Sequence, residues 1–236
     1  MKIFKVANPI PFNDNVDKVL EREELSFDPF DNEHLITPKV HDYFEKTYPN
    51  AQQIGRGSFG IVYDIGNDKV AKITTDRAEI GFLKRNMKYD FFPKIYSIKF
   101  FGKTAVIEME KVIPITKDPN WMKIYSLADR DINAIKNMQN IQQFKNEIKN
   151  IQESPDRKYQ KLPKIKKLLS KNLILKIYSR QSIYDYWEIY LDERYIKAID
   201  FIMKIKKLKI DNDAHSGNIG LRNNGELVIF DIRNDI

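Results

Sequence analysis

The fold is decided by residues 54–73, IGRGSFGIVYDIGNDKVAKI. Gly55, Gly57 and Gly60 form the pattern G-x-G-x-x-G, in which the missing side chains let backbone amides approach phosphate oxygens. In a dinucleotide-binding unit the same pattern leads from a strand into a helix. Here the residues that follow alternate like a strand and reach a Gly-Asn-Asp turn. The sequence therefore predicts a glycine loop inside a β-hairpin, with Lys72 on the returning strand.

A glycine loop in a hairpin, followed by a lysine on the next strand, resembles the ATP-binding lobe of the protein-kinase-like superfamily. The resemblance implies that Lys72 contacts the α- and β-phosphates of ATP, and that the loop through Ser58 and Val62 covers the nucleotide. It also implies that Glu79, on a helix predicted from Arg77 to about Met87, orients the lysine. The alternatives are a solvated strand lysine and a glutamate that only favours the helix dipole.

The strand KTAVIEME, residues 103–110, should by the same resemblance end at the hinge that hydrogen-bonds the adenine edge. Ile107 is then expected at the back of the nucleotide pocket. Glu108, Met109 and Glu110 are expected to form the hinge itself. The alternative interpretation of this stretch is an ordinary edge strand.

Residues 211–220, DNDAHSGNIG, and the later Asp231 carry the second half of the predicted site. Phosphoryl transfer needs a carboxylate near the attacking hydroxyl and oxygen ligands that hold Mg²⁺ on the phosphates. By resemblance, Asp213 is the catalytic-loop aspartate, whereas Asn218 and Asp231 are the metal ligands. His215 either holds the loop or contacts the γ-phosphate, and Asp213 taken alone could be a loop-capping residue. The resemblance thus implies ATP and Mg²⁺ as cofactors.

The form Asp-x-His-x-Gly-Asn is similar to that of aminoglycoside and choline phosphotransferases and of some bacteriophage-encoded protein kinases. The full Gly-x-Gly-x-Phe-Gly-x-Val loop favours a protein substrate instead. We therefore expect an atypical minimal protein Ser/Thr kinase, with a small-molecule kinase as the alternative. A catalytically silent kinase-like binding module also stays open, because Asp211 replaces the usual histidine and no activation segment follows Asp231.

The order of elements predicts an α+β, two-lobed protein-kinase-like fold. An acidic extension, residues 1–48, carries ten acidic against six basic side chains. A small antiparallel-sheet lobe with one helix follows over residues 49–111. Residues 112–236 should form a mainly helical lobe that contains the catalytic loop and a terminal hairpin, with a helix break at residues 154–156. This lobe is expected to be truncated after Asp231.

The chain has 236 residues and a net charge of +7, which suits an anionic partner: a nucleotide, an acidic protein or a nucleic acid. The absence of cysteine excludes disulfides, thiolate zinc sites and cysteine nucleophiles. No signal-peptide pattern or membrane-length apolar run occurs, so we expect a cytoplasmic protein without a membrane partner, in the host cytoplasm if it is virus-encoded.

A basic run with few acids lies in the helical region. It is either a solvated helix face or a surface for an acidic substrate, a nucleic-acid backbone or the acidic N-terminal segment. Nucleic acid is the least favoured partner, because no aromatic-stacking pattern accompanies the run. Its members are Arg157, Lys158, Lys161, Lys164, Lys166, Lys167, Lys171, Lys176 and Arg180.

Overall fold

The computed structural model describes residues 36–57, 60–86, 88–135, 137–172, 186–208 and 216–230. The chain divides after Val112 into two compact units, and Phe230 returns to the first of them. The described residues contain an antiparallel sheet of strands β1 to β5 and six α-helices. The fold is therefore α+β, as the sequence predicts.

The first unit is built on the predicted hairpins. Its sheet has the strand order β1-β2-β3-β5-β4, and every neighbouring pair is antiparallel. Strand β5 lies between β3 and β4, so the edge-strand interpretation of residues 103–110 is wrong. The elements are α1 (Pro38–Thr47), β1 (Gln52–Gly57), β2 (Gly60–Gly66), β3 (Lys69–Thr74), α2 (Arg77–Asn86), β4 (Ile95–Phe101) and β5 (Thr104–Glu110).

A tight turn sets the register between β2 and β3. Asn67 and Asp68 both have positive φ, 50° and 55°, and link the paired residues Gly66 and Lys69. Two left-handed residues in a two-residue loop match the right-handed twist of a hairpin, and Asn and Asp accept this conformation better than most residues. The predicted turn is thus confirmed.

Each face of the sheet packs against one helix. Val40 and Phe44 of α1 pack on the face that carries Ala71 and Ile73 of β3. Ile80 and Leu83 of α2 pack on the other face, which carries Val70 of β3 together with alternate residues of β5. Because side chains alternate along a strand, Lys72 lies on the α2 face of the sheet.

The second unit is mainly helical and also contains a small sheet of order β6-β7-β8. The predicted helix break at residues 154–156 falls between its second and third helices, and the predicted terminal hairpin is β7–β8. Its elements are β6 (Ile113–Pro114), α3 (Pro119–Ala134), α4 (Met138–Glu153), α5 (Lys158–Lys171), α6 (Glu193–Lys207), β7 (Ile219–Leu221) and β8 (Leu227–Ile229). None of the helices described has both the length and the apolar character to cross a membrane.

Helix α6, which precedes the predicted catalytic loop, is anchored by a buried carboxylate. Its buried stripe contains Tyr195, Ile199, Ile202 and Ile205, and Tyr195 at the start of that stripe is fully buried. The hydroxyl of Tyr195 donates to Asp131 Oδ2 of α3 at 2.6 Å, and the hydroxyl of Tyr190 donates to the same oxygen at 2.9 Å. Asp131 is itself fully buried.

We expect Asp131→Ala to destabilise the protein by about 2–5 kcal/mol, because it leaves two buried hydroxyls without this acceptor. Urea denaturation measures the loss. Asp129→Asn on the same helix is the control, since burial raises the pKa of Asp129 and its ionised form is disfavoured in the folded state. Asp129→Asn should therefore cost nothing at neutral pH, and equal losses in the two variants would contradict the anchoring role of Asp131.

Candidate functional site

The glycine loop lies in a hairpin, as predicted. Gly57 of β1 pairs with Gly60 of β2, and the two residues between them, Ser58 and Phe59, lie outside the described residues. Gly55 pairs with Val62, and the register shifts just before Gly55. Strand β2 then leads directly through the turn into β3 and Lys72.

The glycines of the loop have different surroundings. A methyl group on Gly60 would lie 2.9 Å from the carbonyl oxygen of Ile73 and 3.1 Å from Lys72 Cε. A methyl group on Gly57 would meet no atom within 4 Å. Gly60 thus allows β2 to pass close to β3 and the lysine, whereas the site of a side chain at Gly57 is not crowded by other described residues.

We expect Gly60→Ala to destabilise the protein by about 1–3 kcal/mol, because the backbone carbonyl of Ile73 cannot move aside as a flexible side chain could. Gly57→Ala is the matched control and should change the free energy of unfolding by less than about 0.5 kcal/mol. Chemical denaturation of both variants measures the difference. A Gly60→Ala protein as stable as the wild type would show that β2 does not approach Lys72 this closely.

Lys72 and Glu79 form a buried ion pair. Lys72 Nζ lies 2.5 Å from Glu79 Oε1, and the two side chains are only 12% and 5% exposed. The structure thus brings these two predicted residues together, and Lys72 is not a solvated strand lysine. Glu79 also lies in the first turn of α2, so its charge favours the helix dipole as well.

The start of α2 holds the glutamate in place. Asp76 precedes the helix, and its Oδ1 accepts a hydrogen bond from the backbone N–H of Glu79 at 3.0 Å. Thr74, at the end of β3, accepts from the backbone N–H of Asp76 at 3.0 Å. Sequence reasoning missed both residues, although an aspartate three positions before a glutamate is a helix-start signal.

A buried pair of this kind supplies a positive charge in a fixed place. Moving two charges out of water is costly, so such a pair persists only with good geometry and further hydrogen bonds. Because the ammonium is already held in place, the protein does not have to rearrange when an anion binds beside it. The ammonium of Lys72, on the strand next to the glycine hairpin, fits an anionic ligand such as a phosphate chain.

Apolar residues lie on the same face of the sheet as Lys72. In the pairing of β3 with β5, Ile107 is opposite Lys72 and Met109 is opposite Val70. Val62 of β2 packs against this cluster. This face thus combines the ammonium of Lys72 with apolar side chains, of which Val70, Ile107 and Met109 are buried and Val62 is partly buried.

The predicted hinge residues take different positions. Glu108 lies inside β5 with its side chain on the α1 face, where its carboxylate is 2.6 Å from Lys69 Nζ and accepts from the Tyr48 hydroxyl at 3.3 Å. Glu110 ends β5, and its carboxylate accepts from the backbone N–H of Lys94 at 3.0 Å. Of the two glutamates, only Glu110 lies where the strand leaves the sheet.

The placement of Glu108 shifts the pKa values of its neighbours. The hydrogen bond to Glu108 raises the pKa of Lys69. Burial raises the pKa of Tyr48, and the nearby Tyr43 and Glu108 add to the shift. The carboxylate of Glu108 therefore belongs to a polar cluster on the α1 face of the sheet, away from Lys72.

A second ion pair holds the residue that follows β5. Lys111 Nζ lies 2.5 Å from Asp64 Oδ2, and the Lys111 backbone N–H donates to the carbonyl of Asp68 at 2.9 Å. Hydrogen bonds from Lys111 and from the Gly66 backbone lower the pKa of Asp64. The strand exit is thus tied to the β2–β3 turn, a contact that nothing in the local sequence indicates.

The second half of the predicted site is described only in part. Asp213, His215 and Asp231 lie outside the described residues, so their predicted roles stay predictions. Asn218 ends a short 3-10 turn, Ser216–Asn218, directly before β7. Within the described ranges no group of three or more His, Cys, Asp or Glu side chains could hold a metal ion.

The basic run contacts acids from neighbouring segments. Lys158 lies 2.8 Å from Glu188, Lys171 lies 2.8 Å from Glu147, and Lys164 pairs with Asp156. These pairs are largely exposed to solvent, so each contributes little to stability. They favour the interpretation of the run as a solvated helix face.

No protein-family model matches the chain, and no curated protein matches it either. A functional conclusion therefore depends on the geometry of the residues themselves.

Proposed function

We propose that the protein is an ATP- and Mg²⁺-dependent phosphotransferase. The observation that carries this proposal is the buried Lys72–Glu79 ion pair beside a glycine hairpin. The glycine hairpin, the strand with Lys72 and the helix with Glu79 follow one another in the order that the resemblance to kinases implies. Helix α2 lies between β3 and β4. A structural ion pair alone would not need a glycine-rich hairpin next to it.

In this proposal the first unit binds the nucleotide. Lys72 holds the phosphates, and Glu79 keeps the ammonium in position. Val62, which is only partly buried, would pack on the adenine ring, and the buried Val70 and Met109 would support it. The strand exit at Glu110 supplies the backbone groups that hydrogen-bond the edge of the base.

The chemical step uses the residues that the resemblance supplies. Asp213 orients the acceptor hydroxyl and takes its proton as the new bond from oxygen to the γ-phosphorus forms. The bond from the γ-phosphorus to the β,γ-bridging oxygen breaks, and ADP leaves. Asn218 and Asp231 would hold Mg²⁺, which neutralises charge on the phosphates. The fixed positive charge of Lys72 also neutralises charge on the phosphates. The acceleration of phosphoryl transfer would therefore come mainly from positioning the reactants and from neutralising charge.

We infer a protein Ser/Thr acceptor, because the loop has the full Gly-x-Gly-x-Phe-Gly-x-Val form. The reaction would take place in the cytoplasm, where ATP is available. The catalytic-loop form Asp-x-His-x-Gly-Asn supports a small-molecule acceptor as the second candidate.

The test is incubation with Mg²⁺ and ATP labelled on the γ-phosphate, in parallel with an unfolded Ser/Thr-rich protein, an aminoglycoside and choline. Label on the protein acceptor, or on the enzyme itself, is the expected result. Label confined to a small molecule would favour the second candidate. ATP binding without transfer to any acceptor or to water would favour a silent binding module and contradict the proposed activity.

A further inference from the structure

We propose that Asp76 and Thr74 are positioning residues that keep Glu79 on Lys72, so that the ion pair forms without any activating event. The consequence for catalysis rests on the proposed function. The claim that Asp76 and Thr74 hold Glu79 in position concerns only the first unit and can be tested by itself.

The chain between the two charged residues is short. Lys72 and Glu79 are seven positions apart, and only Thr75 and Asp76 separate the end of β3 from the start of α2. A stretch of this length spans roughly 10 Å at full extension. The N-terminus of α2 therefore cannot move far from the strand that carries Lys72.

Hydrogen bonds fix the conformation of this short linker. Thr74 is fully buried, and its hydroxyl oxygen accepts from the Asp76 N–H at 3.0 Å. Asp76 in turn caps α2 by accepting from the Glu79 N–H at 3.0 Å. The Thr74 hydroxyl also reaches Glu79 Oε2 at 3.5 Å. The glutamate is thus held through its backbone and through both carboxylate oxygens.

Packing holds the rest of the helix. Ile80, Phe82 and Leu83 of α2 are buried, and Ile80 and Leu83 belong to the core cluster on this face of the sheet. Moving α2 outward would expose these side chains to water, which opposes the motion. In protein kinases the position of the corresponding helix controls whether the Lys–Glu pair forms. Here a capped two-residue linker and a buried helix face favour one position.

The experiment compares Asp76→Ala with Asp76→Asn, because asparagine caps a helix as well as aspartate does whereas alanine does not. Two readouts are measured: hydrogen exchange of the α2 amides and the affinity for ATP relative to adenosine. We expect Asp76→Ala to speed exchange in α2 and to weaken ATP binding about fivefold, with adenosine binding unchanged. Asp76→Asn should restore both values.

The control is Asp118→Ala, which removes an aspartate cap from α3 in the other unit. It should leave α2 exchange and ATP affinity unchanged. A second pair, Thr74→Val and Thr74→Ser, removes or keeps the buried hydroxyl at nearly constant volume. Thr74→Val should repeat the effect of Asp76→Ala, and Thr74→Ser should not.

The proposal is overturned if Asp76→Ala leaves α2 exchange unchanged, or if it weakens ATP and adenosine equally as a general loss of structure would. The proposed function fails separately, if the wild-type protein does not bind ATP at all. Even then, faster hydrogen exchange of the α2 amides in Asp76→Ala, and its reversal in Asp76→Asn, would support the positioning role of Asp76.

Discussion

The Asp213→Asn variant should lose phosphoryl transfer by about 10²- to 10⁴-fold while its affinity for ATP stays unchanged. The amide cannot take the proton of the acceptor hydroxyl, and losses of this size are typical when a general base is removed. ATP is held in the proposal by the first unit, so its binding should not depend on Asp213. Transfer of γ-labelled phosphate and equilibrium binding of ATP measure the two quantities in one preparation.

Asp156→Asn is a suitable control for this experiment. Asp156 is paired with Lys164 in the basic run, and the proposed reaction gives it no role. Its transfer rate should match that of the wild type. Undiminished transfer by Asp213→Asn would exclude this residue as the catalytic carboxylate, even if the protein proved to be a kinase.

Lys72→Met should weaken ATP binding by about 100-fold, or roughly 3 kcal/mol. The substitution removes the ammonium and leaves Glu79 as a buried negative charge that repels the phosphates. Adenosine has no phosphates, so its affinity should change little. Titration calorimetry with ATP and with adenosine separates the two effects.

Lys145→Met provides a matched control for Lys72→Met. The Lys145 side chain is 17% exposed, close to the 12% of Lys72, and its Nζ lies 2.5 Å from Asp200, an aspartate that is 47% exposed. This ion pair lies on helices of the second unit. Both variants lose an ion pair, and only Lys72→Met should lose ATP affinity. Equal effects would mean that the loss reflects stability and not a phosphate contact.

Much of the first unit could be predicted from the sequence because its signals are local. Alternating apolar residues and the Gly-Asn-Asp turn define the β2–β3 hairpin within a few positions. The sequence predicts a helix from Arg77 to about Met87, and the helix ends at Asn86. Such patterns need no knowledge of distant residues.

Features that depend on distant parts of the chain could not be predicted. Strand β6 is only two residues long and pairs with β7, so that Ile113 lies opposite Leu221. The position of β5 inside the sheet likewise follows from its pairing with the non-consecutive strand β3, on the side opposite β4. No local pattern indicates either contact, because strand partners are chosen by the tertiary fold.

The candidate site shows the same division. The Lys72–Glu79 pair follows from a motif whose parts are close in sequence, and the structure brings these two side chains into contact. The role of Glu108 depends on which face of β5 it occupies, and alternation directs its carboxylate to Lys69 and Tyr48. A one-residue difference in strand register would direct the carboxylate to the opposite face, so the partners of Glu108 depend on the register that the tertiary fold selects.

The claim that Lys72 binds the phosphates of ATP can be tested by its reactivity. In an ATP analogue that carries an acyl group on its γ-phosphate, a lysine amine next to the phosphates attacks the acyl carbon. An amide bond forms, and the bond from the acyl carbon to the phosphate oxygen breaks to release ATP. Mass spectrometry of peptides then locates the modified lysine.

Lys69 serves as the internal comparison in this measurement, since it lies on the same strand but faces away from Lys72. If Lys72 contacts the phosphates, we expect it to be the main acylated residue. Lys69 should stay unmodified, and excess ATP should prevent the reaction. Acylation scattered over surface lysines, with Lys72 unmodified and no protection by ATP, would contradict this expectation.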